Sequence, residues 1–180
     1  LSTGDVPLDD AFVIGTVGPA IWSVPVVAGW EMTDSGRPGG TLLVNQETTC
    51  NFMTSQMLRV PTDPTATGDR AETEAGVTEL QDSFLSQAPN AVLTDGAGIA
   101  VPYGDPASSS SNDSVEFASF RGDYVRDDNG EEWSVLYAVR AMPQIEGLMY
   151  SALSCPTATI NADESIWTAL LDRTVVIAGE

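Results

Sequence analysis

The chain predicts an α+β fold: a mainly antiparallel sheet of about six to seven strands, with helices over one or both faces. Three observations carry this. Residues 115–142, VEFASFRGDYVRDDNGEEWSVLYAVRAM, read as two long strands joined at Asn129-Gly130, a pair suited to a two-residue type I′ turn because both central positions need positive φ. Val77, Leu80, Phe84 and Ala88 recur at three- and four-residue spacing, the apolar stripe of a helix over 72–87. VLYAV and MYSAL are apolar on both sides, as strands buried on two faces are.

With Asn129 and Gly130 as the loop, cross-strand partners sum to 259. Phe120, Gly122, Tyr124 and Arg126 then oppose Val139, Tyr137, Val135 and Trp133. In that register Tyr137 covers Gly122 and Arg126 lies over Trp133 as a cation–π pair. The other face sets Ser119, Arg121, Asp123 and Val125 against Arg140, Ala138, Leu136 and Ser134. A one-residue slip would exchange the two sets.

The remaining elements follow in order. Residues 1–20 read as a flexible arm leading into an irregular, Gly-punctuated segment. Strands are expected at 21–27, 41–46 and 50–60, with a turn at TDSGRPGG, residues 33–40. PTDPTATG, residues 61–68, is a loop before the helix, whose early Glu72, Glu74 and Glu79 suit the positive end of its dipole. Pro89-Asn90 stops it. Residues 91–103 are strand-like but interrupted at Gly96 and Gly98. Residues 105–114 are a polar low-complexity loop. After the hairpin come a connector at 143–147 and a strand at 148–155. A second helix follows, with Asn161 and Glu164 spaced as a capping box and Ile166, Trp167, Leu170 and Leu171 as its buried stripe. Residues 174–178 return to β-branched types. No repeat and no second domain emerge, so 21–180 reads as one domain behind the 1–20 arm.

Twenty-six acidic residues face seven basic ones, for a formal net charge of −19, and all seven basic residues are arginine. Such a surface repels phosphate backbones and anionic lipid, which argues against nucleic-acid and membrane-surface partners. It disperses the protein, as in GC-rich or salt-adapted chains, or else offers a patch to a cationic partner or a metal. Cys50 and Cys155 fall near the ends of expected strands. Their even number fits a single bridge, which would imply export. Leu1 is not a natural start, so a leader or lipid anchor upstream is an expectation, and the route to any membrane.

The element order resembles the PsbP-like fold, the group of the extrinsic photosystem II protein and the actinobacterial envelope lipoproteins of the LpqN/LpqT type. An early strand running into Gly29-Trp30, paired strands, a mid-chain helix, a long hairpin and a terminal amphipathic helix with Trp167 carry the resemblance over roughly residues 20–178. It implies a three-layer α/β/α sandwich, an exported or membrane-anchored address, and a non-catalytic binding or assembly role. It carries over no catalytic residue.

Histidine and lysine are both absent. That removes Ser-His-Asp and Cys-His mechanisms, lysine Schiff bases and the Walker-type phosphate loop. No cofactor and no metal site is expected. Carboxylates remain. Thr33-Asp34-Ser35-Gly36 matches an aspartic-protease signature and Thr94-Asp95-Gly96 is a partial second copy, but such enzymes need the two aspartates in contact. The tip Asp127-Asp128-Asn129-Gly130-Glu131-Glu132 fails as an EF-hand, because Val125 and Leu136 would occupy ligand positions. Its register would set Asp127 near Glu132 and Asp128 near Glu131. Arg121, Asp123 and Arg140 are the candidate ligand-binding group, or else a structural ion-pair cluster beneath a helix. The sequence therefore favours an exported, non-enzymatic envelope protein that binds a partner protein or an apolar small molecule. The alternative is an extracellular carboxylate-dependent hydrolase.

Overall fold

Burial largely alternates along residues 114–125 and runs nearly unbroken along 132–142 and 147–156. The structure is a computed structural model that describes residues 5–13, 20–24, 26–36, 39–63, 65–104 and 113–178. In chain order the strands before the long helix are β1 (Asp5–Val6), β2 (Ala20–Ser23), β3 (Glu31–Thr33), β4 (Gly40–Val44) and β5 (Asn51–Leu58). Helix α1 (Arg70–Gln87) follows, then β6 (Val92–Asp95), β7 (Ile99–Pro102), β8 (Ser114–Val125) and β9 (Glu132–Met142). A 3₁₀ turn at Pro143–Ile145 leads to β10 (Gly147–Pro156), α2 (Thr157–Ala162), α3 (Ser165–Leu171) and β11 (Val175–Ala178). None of the described helices is long and apolar enough to cross a membrane.

One sheet joins nine strands in the order β1-β8-β9-β10-β5-β4-β3, with β6 and β7 also on β8. Its described ladders are antiparallel except β1 with β8. β2 and β11 pair separately as an antiparallel ribbon. The mixed α+β class with a mainly antiparallel sheet is as expected, but the strand count exceeds six to seven. Gly96 and Gly98 divide the stretch 91–103 into two strands, and β1 and β3 are too short to leave a periodicity.

Two hydrophobic clusters sit on the sheet. Phe120, Val139, Ala141, Leu148 and Tyr150 meet Val77 and Leu80 of α1. Phe52, Leu43, Phe117, Met149 and Leu153 meet Trp22 of the ribbon and Ile160, Trp167, Leu170 and Leu171 of α2 and α3. Strand alternation explains the division: neighbours along β9 and β10 point to opposite sides. Trp167, expected in the buried stripe of its helix, is buried, and so is Trp133.

The hairpin keeps the expected faces but not the expected register. Partners sum to 257: Phe120 pairs with Tyr137, Gly122 with Val135, Tyr124 with Trp133. The loop has four residues, 127–130, closed by Arg126 N–H on the Glu131 carbonyl (2.9 Å) and Gly130 N–H on the Arg126 carbonyl (2.9 Å). Gly130 alone adopts the left-handed region, at φ +72°, so no type I′ turn forms. The shift is two residues, which preserves every side chain's face. Its effect is to stack Phe120 on Tyr137 at 4.4 Å. Gly122 is covered by Phe84 of α1 instead, where an added Cβ would meet Phe84 Cε1 at 2.4 Å. Arg126 does lie over Trp133, 5.2 Å from the ring centroid.

Two further expectations change. The capping box does not form: Asn161 lies inside α2 and Glu164 is the N-cap of α3 without a side-chain bond. Asp163 takes that work, accepting the Ser165 N–H (3.0 Å) and hydroxyl (2.6 Å). Residues 5–13, expected within a flexible arm, are packed. β1 pairs with Ser114 and Val115, Leu8 N–H donates to Glu116 Oε2 at 2.9 Å, and Leu8 and Phe12 are buried. The rest of that arm and most of the low-complexity loop, residues 105–112, lie outside the described residues.

Candidate functional site

The strand register places the bridge. On the β5–β10 ladder, where Ser154 opposes Asn51, the next pair outward is Cys50 and Cys155. They form a disulfide with Cα atoms 4.4 Å apart.

Arg121, Asp123 and Arg140 share a strand face but not a cluster. Arg121 Nε donates to Asp123 Oδ1 at 2.8 Å. Ser134 Oγ donates to the same oxygen at 2.5 Å and receives Arg121 Nη2 at 2.9 Å. α2 closes this group with Thr157 (2.9 Å from Ser134 Oγ) and Asn161 (3.4 Å from Arg121). These bonds tie β8, β9 and α2 together.

Arg140 belongs to a different network, one with no local sequence signal. It is 0% exposed, and so is its partner Asp69 at the head of α1. Nε and Nη2 of Arg140 both reach Asp69 Oδ2, at 2.8 and 2.7 Å. Nη1 donates to the carbonyls of Val6 and Glu116, and Nη2 to those of Pro7 and Asp10. Phe12 N–H donates to the same Asp69 oxygen at 3.0 Å. The guanidinium thus pins residues 6–12 to the sheet. Burial pushes the Asp69 carboxyl above its ordinary range against the pull of Arg140, and burial pushes Arg140 down.

The carboxylates do not form a catalytic pair. β3 and β6 lie on opposite edges of the sheet, so Asp34 and Asp95 are separated by roughly 25–30 Å at about 4.8 Å per strand. Asp34 instead caps its own turn, accepting Gly36 N–H at 2.8 Å. Asp69, whose carboxyl is raised, faces an arginine and is sealed from water. At the hairpin tip Asp128 pairs with Arg126 at 2.6 Å, and Glu131 accepts the Trp133 indole N–H at 2.8 Å. Asp127 and Asp128 sit in the loop, so the expected Asp–Glu cross-strand pairs are absent. Among the described residues no three ligating side chains converge as a metal site.

What does converge is a groove between the C-terminal half of α1 and the open side of β9, β10, β5 and β4. It has a volume of about 320 Å3 and twelve lining residues, none of them charged. Phe84 and Tyr137 meet edge to face at 6.2 Å, and Tyr137 and Tyr150 lie 6.4 Å apart. Leu42, Met53, Leu80 and Val135 supply aliphatic walls, and Asn51, Ser83, Gln87 and Ser154 stand among them. Sequence reasoning missed it. Its walls come from five elements, and each residue alone reads as ordinary core or surface.

No protein-family model and no curated protein matches the chain. Solved structures do. LpqN of Mycobacterium tuberculosis, described as involved in cell envelope biogenesis, is 15% identical with a TM-score of 0.52, over 91% of this chain and 87% of its own. The Ran-binding protein Mog1p of Saccharomyces cerevisiae is 10% identical with a TM-score of 0.51, over 91% and 97%. The chain has a PsbP/Mog1-like fold. The cyanobacterial PsbP of Synechocystis sp. PCC 6803 is also among the similar structures, at 15% identity, a TM-score of 0.47 and 92% and 98% coverage. In this PsbP/Mog1-like chain the sheet, hairpin and long helix that carried the resemblance form the walls of the groove.

Proposed function

We propose that this protein is an exported, non-enzymatic binding protein of the cell envelope that holds a small molecule with an apolar face in the groove beneath α1. The uncharged, aromatic-floored groove carries the reading. It falls within the size range of small-molecule sites, about 300–1,000 Å3, and has their mainly apolar lining with a few placed polar groups. A chain without histidine or lysine, whose buried, raised carboxyl among the described residues faces an arginine, suits binding better than bond-breaking. LpqN supports an envelope address, and the Cys50–Cys155 bridge suits an oxidising compartment. The α/β/α layering that the resemblance implies is part of the same reading.

The test uses N-phenyl-1-naphthylamine, a neutral apolar fluorophore. Saturable one-to-one binding, abolished by Ser154→Trp, is expected; absence of binding, or binding indifferent to that substitution, removes the groove as the site. Thiol labelling of protein taken directly from cells tests export, and two free thiols would refute it. A protein partner is the second reading. It is favoured by Leu58 and Val60, 81% and 82% exposed near the end of β5, where a large apolar pair marks a contact surface.

A further inference from the structure

Resting on the second reading, a protein partner, we infer that the partner docks by a basic peptide segment carrying one bulky apolar side chain, which seats in a methionine-lined cleft beside Leu58. The cleft lies where the sheet ladders end, with Gly147 paired to Leu58 on one side and to Met142 on the other. It shares no lining residue with the groove beneath α1. Met57, Leu58, Met142, Ile145, Leu148 and Met149 supply most of its walls. Gln56, the polar side chain there, already accepts the Trp22 N–H at 3.0 Å.

Size and softness point to a single side chain. The volume is about 130 Å3, and a dry apolar void of about 150 Å3 takes one benzene ring. A long acyl chain would overrun it, whereas a leucine, methionine or phenylalanine side chain would fill it. Three of the chain's five methionines are here. Their unbranched, polarizable thioethers repack around differently shaped apolar groups, a property of surfaces that accept peptide anchors. Leu58 and Val60, 81% and 82% exposed, and Met57, 44% exposed, extend the apolar surface outward from the cleft.

Charge decides what surrounds the anchor. Glu146 stands between two lining residues, Ile145 and Gly147. It is exposed and holds φ +50°, a left-handed conformation that is costly for a side chain other than glycine. No ion pair engages its carboxylate among the described residues. Arg59 is the adjacent cation, its N–H on the Glu146 carbonyl at 2.7 Å, but its guanidinium is already taken by Glu79 and Glu72. With a net charge of −19 behind it, this rim attracts a basic segment and repels an acidic one. The same repulsion opposes a second copy of this chain.

The purified protein, its methionine methyls isotope-labelled, is titrated by NMR with an acetylated pentapeptide of arginines around a central leucine. Glutamate-flanked and glycine-centred counterparts are run beside it. The arginine–leucine peptide is expected to shift Met57, Met142 and Met149, to bind more weakly as salt is added, and to leave Met32 on β3 and Met53 in the groove unmoved. Glu146→Gln should lower its affinity about 2- to 5-fold. Leu58→Ser, at an exposed position, should lower it further; circular dichroism establishes that both variants fold. If the glutamate-flanked peptide shifts the same methyls equally, the cleft is a contact surface and the basic class is wrong. If only Met53 moves, the peptide sits beneath α1 and the placement is wrong. If no peptide shifts any of the three methyls, the inference and the partner surface at Leu58 fail together, while naphthylamine binding still decides the groove.

Discussion

Removing the charge of Arg140 tests the buried network most directly. In Arg140→Met the side-chain volume is roughly kept while Asp69, at 0% exposure, loses its counter-charge. Breaking a buried pair from one side costs about 3–5 kcal/mol. Four backbone carbonyls, of Val6, Pro7, Asp10 and Glu116, lose their donor at the same time. Left dry, each would cost a further ~1–3 kcal/mol, so the molecule has a cheaper course. Undocking residues 6–12 wets the carbonyls and Asp69, and exposes Leu8 and Phe12 at about 1.5–3 kcal/mol apiece. The undocking route gives a loss of about 3–6 kcal/mol. At about 2–4 °C per kcal/mol for a chain of this size, Tm falls by about 6–24 °C. Urea unfolding measures the loss, and hydrogen exchange at the Leu8 and Phe12 amides reports the undocking. Asp69→Asn and the double variant complete a cycle, in which the double should be more stable than the sum of singles implies. A loss under 1 kcal/mol in Arg140→Met, or strict additivity in the cycle, would refute the reasoning.

Replacing both cysteines with serine opens a loop spanning a sequence separation of 105. The chain-entropy relation gives a loss of about 4–5 kcal/mol, and an unchanged urea midpoint would contradict it. Gly122→Ala drives a methyl into Phe84 and should cost about 1–3 kcal/mol; Phe84→Leu in the same chain should recover part of it, and failure to do so would place the strain elsewhere. Burial alone would raise the Glu72 carboxyl, but the N–H groups of Asp63 and Thr62, the Thr62 hydroxyl and Arg59 outweigh it and hold the group below its ordinary value of 4.5. A carboxyl depressed on folding stabilises above its unfolded value, and that contribution is lost as pH falls through the folded value. Wild type should therefore lose its advantage over Glu72→Gln below about pH 4.5. A stability difference that is the same at pH 7 and pH 3 would count against this.

Alternation along the hairpin was legible because a period of two is local. Every side chain of 118–125 and 133–139 keeps the face its parity assigns, whatever the loop does. The pairing partners were not legible, since adding two residues to the loop leaves the pattern of apolar positions unchanged. Contacts of Phe84, 38 residues from Gly122, decide which register packs. The same holds at the candidate site. Arg121 and Asp123 lie two residues apart on one strand, so their contact was visible in advance. Arg140 looked like their neighbour across the ladder, yet its partner is 71 residues away at the start of α1.

The residues alone determined the absence of histidine and lysine chemistry, the acidic balance, the α+β class, the helix over Val77, Leu80 and Phe84, and the eligibility of two cysteines to bond. Packing alone decided that Arg140 reaches Asp69 and which strands α1 leaves uncovered, and hence where the groove lies. The reason is one of range: composition and periodicity are properties of a segment, whereas a cavity exists only in the space left between segments.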